Sequence, residues 1–224
     1  MRFIERLNKP LILEQKEAEW TAVFLENQDK KRPDGSKYGH KQIREQLNTM
    51  SFHKCFYCES KLKGVSQEID HYEEVSEAES RKLAYIWTNL YLACTNCNNK
   101  VPNKTIAVTD ALNPCFHQDS EIEEHLTFTK ELITAKNGSV LGLNTIKKFR
   151  LNNASLDYLR LQRLQEFYKV SAKIKDRQIK DGGRIMNDAE RQSLKFFAQP
   201  DQSFSLMFRL LLKKYNIYEN TSNE

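Results

Sequence analysis

The chain has 224 residues, with 35 lysines and arginines against 30 aspartates and glutamates, a net charge of +5 and a mean hydropathy of −0.69. An apolar share of 39% with 10% aromatics is wet but foldable, which argues against outright disorder; no apolar run approaches the roughly 18 residues needed to cross a bilayer, and the acid and bases within MRFIERLNKP argue against a secretory leader. Seven glycines and five prolines leave no collagen-like or linker-like character and argue against a glycine cradle for phosphate, so the expectation is a mostly helical, cytoplasmic protein.

In chain order, residues 11–27 read as a helix, with Pro10 tolerated at its entry. Residues 29–38, containing Arg32-Pro33-Asp34-Gly35-Ser36, form a turn-rich loop, and 40–48 a second, short helix. Two Cys-x-x-Cys pairs follow, Cys55/Cys58 and Cys94/Cys97. Without a secretory signal these thiols are poor candidates for a disulfide framework. Two such knuckles supply the four soft ligands of a closed tetrahedral zinc site; the alternatives are a redox pair or unrelated buried thiols. Cys115 has no partner in sequence and reads as a packed or semi-exposed thiol. Structural zinc is worth roughly 10–16 kcal/mol in small modules, so the charge-rich segment between about 50 and 110 is expected to fold around its metal.

The knuckles are farther apart than in a simple zinc ribbon, and the insert between them is informative. Glu68-Ile69-Asp70-His71-Tyr72 suggests a short strand. Leu90 and Leu92 alternate ahead of the second knuckle, and a short helix is expected from about Asn96, limited by Pro102. An antiparallel pair followed by a helix brings Asp70, His71 and Asn98 to one small surface. A carboxylate and an amide oxygen are hard ligands suited to magnesium or manganese. A histidine takes a proton from water near neutrality, and a middle asparagine can fix the imidazole or its loop. Taken singly, an Asp-His pair is more often surface polarity; the joint arrangement is what points to chemistry.

Beyond the core, 125–129 and 131–135 read as a hairpin and 136–139 as a turn. From 155 to about 180, apolar residues recur at Leu156, Leu159, Leu164, Phe167, Val170 and Ile174 with helical spacing, and Asn153 is a candidate cap. Eleven bases face four acids between Lys147 and Arg184, whereas residues 59–79 carry seven acids against Lys61 and Lys63. Lys169, Lys173, Lys175 and Lys180 lie off the apolar stripe, as either a solvated or a phosphate-binding face requires. Further helices are expected over 188–198 and 203–215. The run from Leu206 to Leu212 is apolar enough to favour core over a partner-binding helix.

The pattern Cys55-x-x-Cys58, Asp70-His71, Asn89-Leu90 and Cys94-x-x-Cys97-Asn98 resembles that of the HNH endonuclease family. The resemblance implies a ββα-metal fold, with His71 as general base, Asn89 positioning that base, and Asp70 and Asn98 as ligands of a catalytic Mg²⁺ or Mn²⁺. Asn99 follows directly, so Asn98 and Asn99 compete for the last ligand position. Lys100, Lys104, Lys169, Lys173 and Lys175 are the candidate nucleic-acid contacts. The wider layout, with Asn113-Pro114 and Glu123-Glu124-His125-Leu126, is similar to the HNH subunits of Septu and retron-associated anti-phage systems. Those subunits are encoded with an ABC- or SMC-like ATPase. The expected architecture is α+β and mostly helical: an N-terminal helical arm (1–50), a zinc-stapled nuclease core (51–112), and a hairpin with a helical region (113–224). The implied function is cleavage of DNA under the control of a partner ATPase. The alternatives are a non-catalytic zinc module that binds nucleic acid or protein, and a free-standing restriction-type nuclease.

Overall fold

A computed structural model describes residues 1–62, 64 and 66–217. Helix α1 (Leu11–Glu26) enters on Pro10, whose missing N–H is an orphan at a helix start anyway. It buries Leu13, Trp20 and Phe24. The turn-rich loop contains a four-residue helix, α2 (Gly35–Tyr38), capped by the Asp34 carboxylate on the Ser36 N–H; the sequence reading had no helix here. Helix α3 (Lys41–Ser51) takes the His40 ring as its cap. It ends in two left-handed residues, Phe52 (φ 54°) and His53 (φ 56°), uncommon for bulky side chains, which turn the chain into the first knuckle.

Strands β1 (Glu68–His71) and β2 (Leu90–Ala93) pair antiparallel, Asp70 opposite Tyr91 and His71 opposite Leu90. Helix α4 (Thr95–Asn98) follows at once. The expected ββα order is therefore present, and the N-terminal segment lies along its back. There the Arg6 guanidinium sits 4.6 Å from the Tyr91 ring centroid and donates to the Leu90 carbonyl at 2.8 Å, while Trp87 Nε1 donates to the Leu7 carbonyl.

Besides α2, two more short helices were not anticipated. One is α5 (Asp119–His125), ahead of the hairpin β3 (Leu126–Thr129) and β4 (Leu132–Ala135). The other is α6 (Val140–Lys148) after it. Helix α7 (Ala154–Lys180) is capped by Asn153 as expected, but its stripe is shifted. Leu156, Arg160, Leu164, Phe167 and Ile174 are buried, whereas Leu159 is 42% exposed. The 156–160–164 row lies on one face because residues four apart stack along a helix. Arg160 is tolerated inside because its guanidinium donates to the Leu151 carbonyl and to Asp157.

Helices α8 (Asp188–Lys195) and α9 (Ser205–Lys214) are the last helices among the described residues. Leu206, Met207, Phe208 and Leu212 of α9 are buried, as core. One apolar cluster runs from Met1 through both knuckles to Leu206. A second gathers Leu164, Phe167, Leu194, Phe197 and Phe208 beneath α7, α8 and α9. The fold is α+β with small two-stranded sheets. No helix among the described residues is long and apolar enough to cross a membrane.

Candidate active site and metal centre

The first knuckle is a tight hairpin, with Lys54 bridged to Lys61. Cys55 N–H donates to the Ser60 carbonyl at 2.9 Å and Glu59 N–H to the Cys55 carbonyl at 3.0 Å, while Phe56 N–H reaches across to Leu92 of β2. The second knuckle opens α4, with Cys94 at its N-cap and Cys97 within it. The four sulfurs of Cys55, Cys58, Cys94 and Cys97 lie within 4.8 Å of one another, and Cys58 Sγ is 3.8 Å from Cys94 Sγ. A tetrahedron built on zinc–sulfur bonds of ~2.3 Å has edges of roughly 3.8 Å. The donor set and spacing fit zinc, and the burial of Cys55, Cys58 and Cys97 matches a closed, structural site. Cys115 stands outside the cluster, half-buried, and burial raises its thiol.

Glu59 locks the first knuckle to α9. Its carboxylate lies 2.9 Å from the Met1 ammonium and accepts from Ser205 Oγ and the Leu206 N–H, capping a helix whose own N-cap residue offers no side-chain bond. Burial alone would raise this carboxyl, but the Met1 ammonium, Lys54 and Arg2 hold it down to about 2.

A cleft of about 440 Å³ opens beside β1 and α4. Asp70, His71, Asn98 and Asn99 all line it, so three of the four residues expected around the chemistry converge. The His71 ring Nε2 is 2.8 Å from the Ala84 carbonyl. A carbonyl can only accept, so in the neutral ring Nε2 carries the hydrogen and Nδ1 keeps its lone pair. The Tyr38 ring stands edge-on at 4.8 Å. Burial lowers the imidazole to about 4; the Ala84 carbonyl pulls it back up and the Lys100 ammonium pushes it down. The ring is therefore neutral at physiological pH, the state a proton acceptor needs.

Asn89 is buried and does not line the cleft. Its side chain holds Glu73 by both backbone groups, accepting from the N–H at 2.7 Å and donating to the carbonyl at 3.0 Å. The same amide donates to the Leu83 carbonyl at 3.2 Å. It thus ties the end of β1 to the turn whose next residue, Ala84, orients His71.

Asp70 and Asn98 are engaged by their neighbours. Both Asp70 oxygens lie 2.8 Å from Lys100 Nζ, and Tyr57 OH donates to Oδ2 at 2.6 Å. Burial raises this carboxyl despite the Lys100 charge. The Asn98 amide nitrogen donates to Glu68. Oδ1 of Asp70 accepts the Lys100 bond alone among the described contacts, and a carboxylate oxygen has two lone pairs. The Asn98 amide oxygen is likewise a hard donor. These oxygens fit a hard divalent cation in chemical type, in competition with the lysine.

The structure corrects the assignment of Lys100 as a nucleic-acid contact. It is buried, and its ammonium is held by Asp70 and by the carbonyls of His71 and Tyr72. A cation already satisfied by a carboxylate and two carbonyls has nothing left for phosphate. Lys104, Lys169, Lys173 and Lys175 are exposed, but none lines the cleft. The residues that sequence reasoning missed are Tyr38, Lys31 and Arg32, which line the same cleft. Two adjacent bases before a Pro-Asp-Gly turn were the available signal for the pair; nothing in sequence marked Tyr38.

Residues 55–104 match the HNH endonuclease family. That HNH segment holds both knuckles and every residue expected to carry the chemistry. The Septu protein PtuB of Bacillus thuringiensis is 28% identical over 154 residues, which cover 68% of this chain and 55% of that protein. The chain thus spans about half the length of the curated relative it matches.

Proposed function

We propose that this chain is a metal-dependent HNH endonuclease that hydrolyses DNA phosphodiester bonds, serving as the nuclease subunit of a bacterial anti-phage complex. The carrying observation is the convergence of Asp70, His71 and Asn98 on one cleft beside the four-sulfur cluster, inside the segment that matches the HNH family.

Neutral His71, oriented by Ala84, takes the proton of the attacking water on Nδ1. Asn89 holds the backbone on both sides of that arrangement. Asp70 and Asn98 are the residues that would hold the divalent cation, Mg²⁺ or Mn²⁺, with Asn99 on the same cleft as the other candidate. When bound, such a cation neutralises charge at the scissile phosphate and the leaving oxygen. The four cysteines hold the frame around structural zinc and touch no substrate. Residues 51–112 are the cutting core, flanked by the helical arm and the helical C-terminal region. Exposed Lys104, Lys169, Lys173 and Lys175 contribute backbone-phosphate attraction away from the cleft. Nothing in this set reads bases, so the activity needs external restraint. The likeness to PtuB supports a PtuA-like ATPase of the ABC or SMC type as that restraint, in the cytoplasm.

The Asp70–Lys100 pair favours a rival reading, a zinc module that binds without cutting. Plasmid nicking by the purified protein separates the two, with and without a co-expressed ATPase, in magnesium or manganese. Cation-dependent nicking that vanishes in His71→Ala supports the nuclease; cutting by that variant at the wild-type rate refutes the assigned base. Binding without cutting under all these conditions supports the rival.

A further inference from the structure

We propose that Lys31 and Arg32 form a phosphate-binding wall, gripping the nucleic-acid backbone phosphate beside the one presented to His71. For its substrate class this rests on the nuclease reading.

Apart from Lys31 and Arg32, the lining of the cleft is poor in free positive charge. Asp70 and Glu74 line it, Glu68 stands on β1 against Asn98, and the nearby ammonium of Lys100 is spent on Asp70 and two carbonyls. A polyanion entering this space needs cations from elsewhere. Lys31 and Arg32 line the same cleft and are exposed, and no described hydrogen bond or ion pair occupies either side chain. An unpaired guanidinium presents a planar fork that matches phosphate oxygens.

The backbone that carries the pair is fixed on both sides. Arg81 donates to the carbonyls of Phe24 at 2.7 Å, Asn27 at 3.0 Å and Lys30 at 2.9 Å. Its guanidinium also lies 4.0 Å from the Phe24 ring centroid. On the far side, Asp34 N–H donates to Tyr85 OH at 3.0 Å and the Asp34 carboxylate caps α2. Helix α2 then delivers Tyr38 against the His71 ring. One anchored segment therefore brings two free cations and the aromatic neighbour of the base to the same cleft, which is the placement a substrate clamp requires.

The test measures binding of a labelled DNA duplex by the full-length protein across a salt series, together with steady-state cleavage. Losing the one phosphate the pair neutralises, in Lys31→Ala/Arg32→Ala, should reduce the magnitude of the slope of log affinity against log salt by about 0.9. KM should rise with kcat little changed, and thermal unfolding should stay at the wild-type temperature because both side chains are exposed. Arg32→Lys should keep the slope while losing part of the affinity, since it keeps the charge and loses the fork. An unchanged slope and KM in the double variant, while the wild type cuts, overturns the wall and leaves the nuclease standing. A reduced slope with a wild type that never cuts supports the wall and refutes the nuclease. A wild type that binds no duplex overturns the wall outright.

Discussion

Lys100 Nζ lies 2.8 Å from each carboxylate oxygen of Asp70, with both side chains almost wholly buried. A buried pair of this kind adds little compared with an apolar replacement of both partners, but removing one partner strands the other charge. Lys100→Ala is therefore expected to destabilise the protein by about 3–5 kcal/mol, read as a fall of roughly 10 °C in the unfolding temperature. A variant melting with the wild type would show that the pair carries no such role.

The sulfur cluster predicts a larger effect. Cys94→Ser removes one of four converging ligands, and the zinc it holds is worth roughly 10–16 kcal/mol in small modules. The expected result is loss of bound zinc and of cooperative unfolding, checked by metal analysis and calorimetry. Full zinc content and an unchanged transition would contradict the structural assignment.

Glu59 sets an acid limit on stability. The folded state holds its carboxyl at about 2, against an ordinary 4.5. The stabilisation is complete above the unfolded value and is lost as pH falls from about 4.5 toward 2. The difference amounts to about 3 kcal/mol. Denaturant titrations across that acid range should show this loss in the wild type, and Glu59→Gln should be less stable at neutral pH with a shallower acid dependence.

Asn89 is expected to behave as a positioning residue. Asn89→Asp keeps an acceptor for the Glu73 N–H but removes the donors to the Glu73 and Leu83 carbonyls, costing about 1–3 kcal/mol for the polar groups left unpaired. Under the proposed mechanism kcat should drop while KM for DNA stays near the wild-type value. Equal damage to both would instead point to a general loss of structure.

Much of this was legible in the residues because the informative positions are local. Two Cys-x-x-Cys pairs announce a sulfur cluster from spacing alone. The short β-friendly runs around Ile69/His71 and Leu90/Leu92 fall on β1 and β2, although β2 is buried on both faces rather than alternating. What escaped notice depended on distant contacts. Lys100 looked like a free base in the linear chain, and only the fold reveals that Asp70 claims it. Arg160, at the border of the apolar stripe, packs in the core because Asp157 and the Leu151 carbonyl satisfy it, whereas Leu159, counted into that stripe, is exposed. Helices α5 and α6 are short, and no strong apolar periodicity marked them. Tyr38 meets His71 across a separation of 33 residues, a proximity that no local pattern encodes.

The three carbonyls gathered by Arg81 have one more implication. A single guanidinium fastens the end of α1 and the residue before Lys31 to the insert between the knuckles, so the backbone leading into Lys31 and Arg32 is held in advance. Under the proposed function, a visiting strand meets a segment already fastened in place and loses little affinity to ordering it.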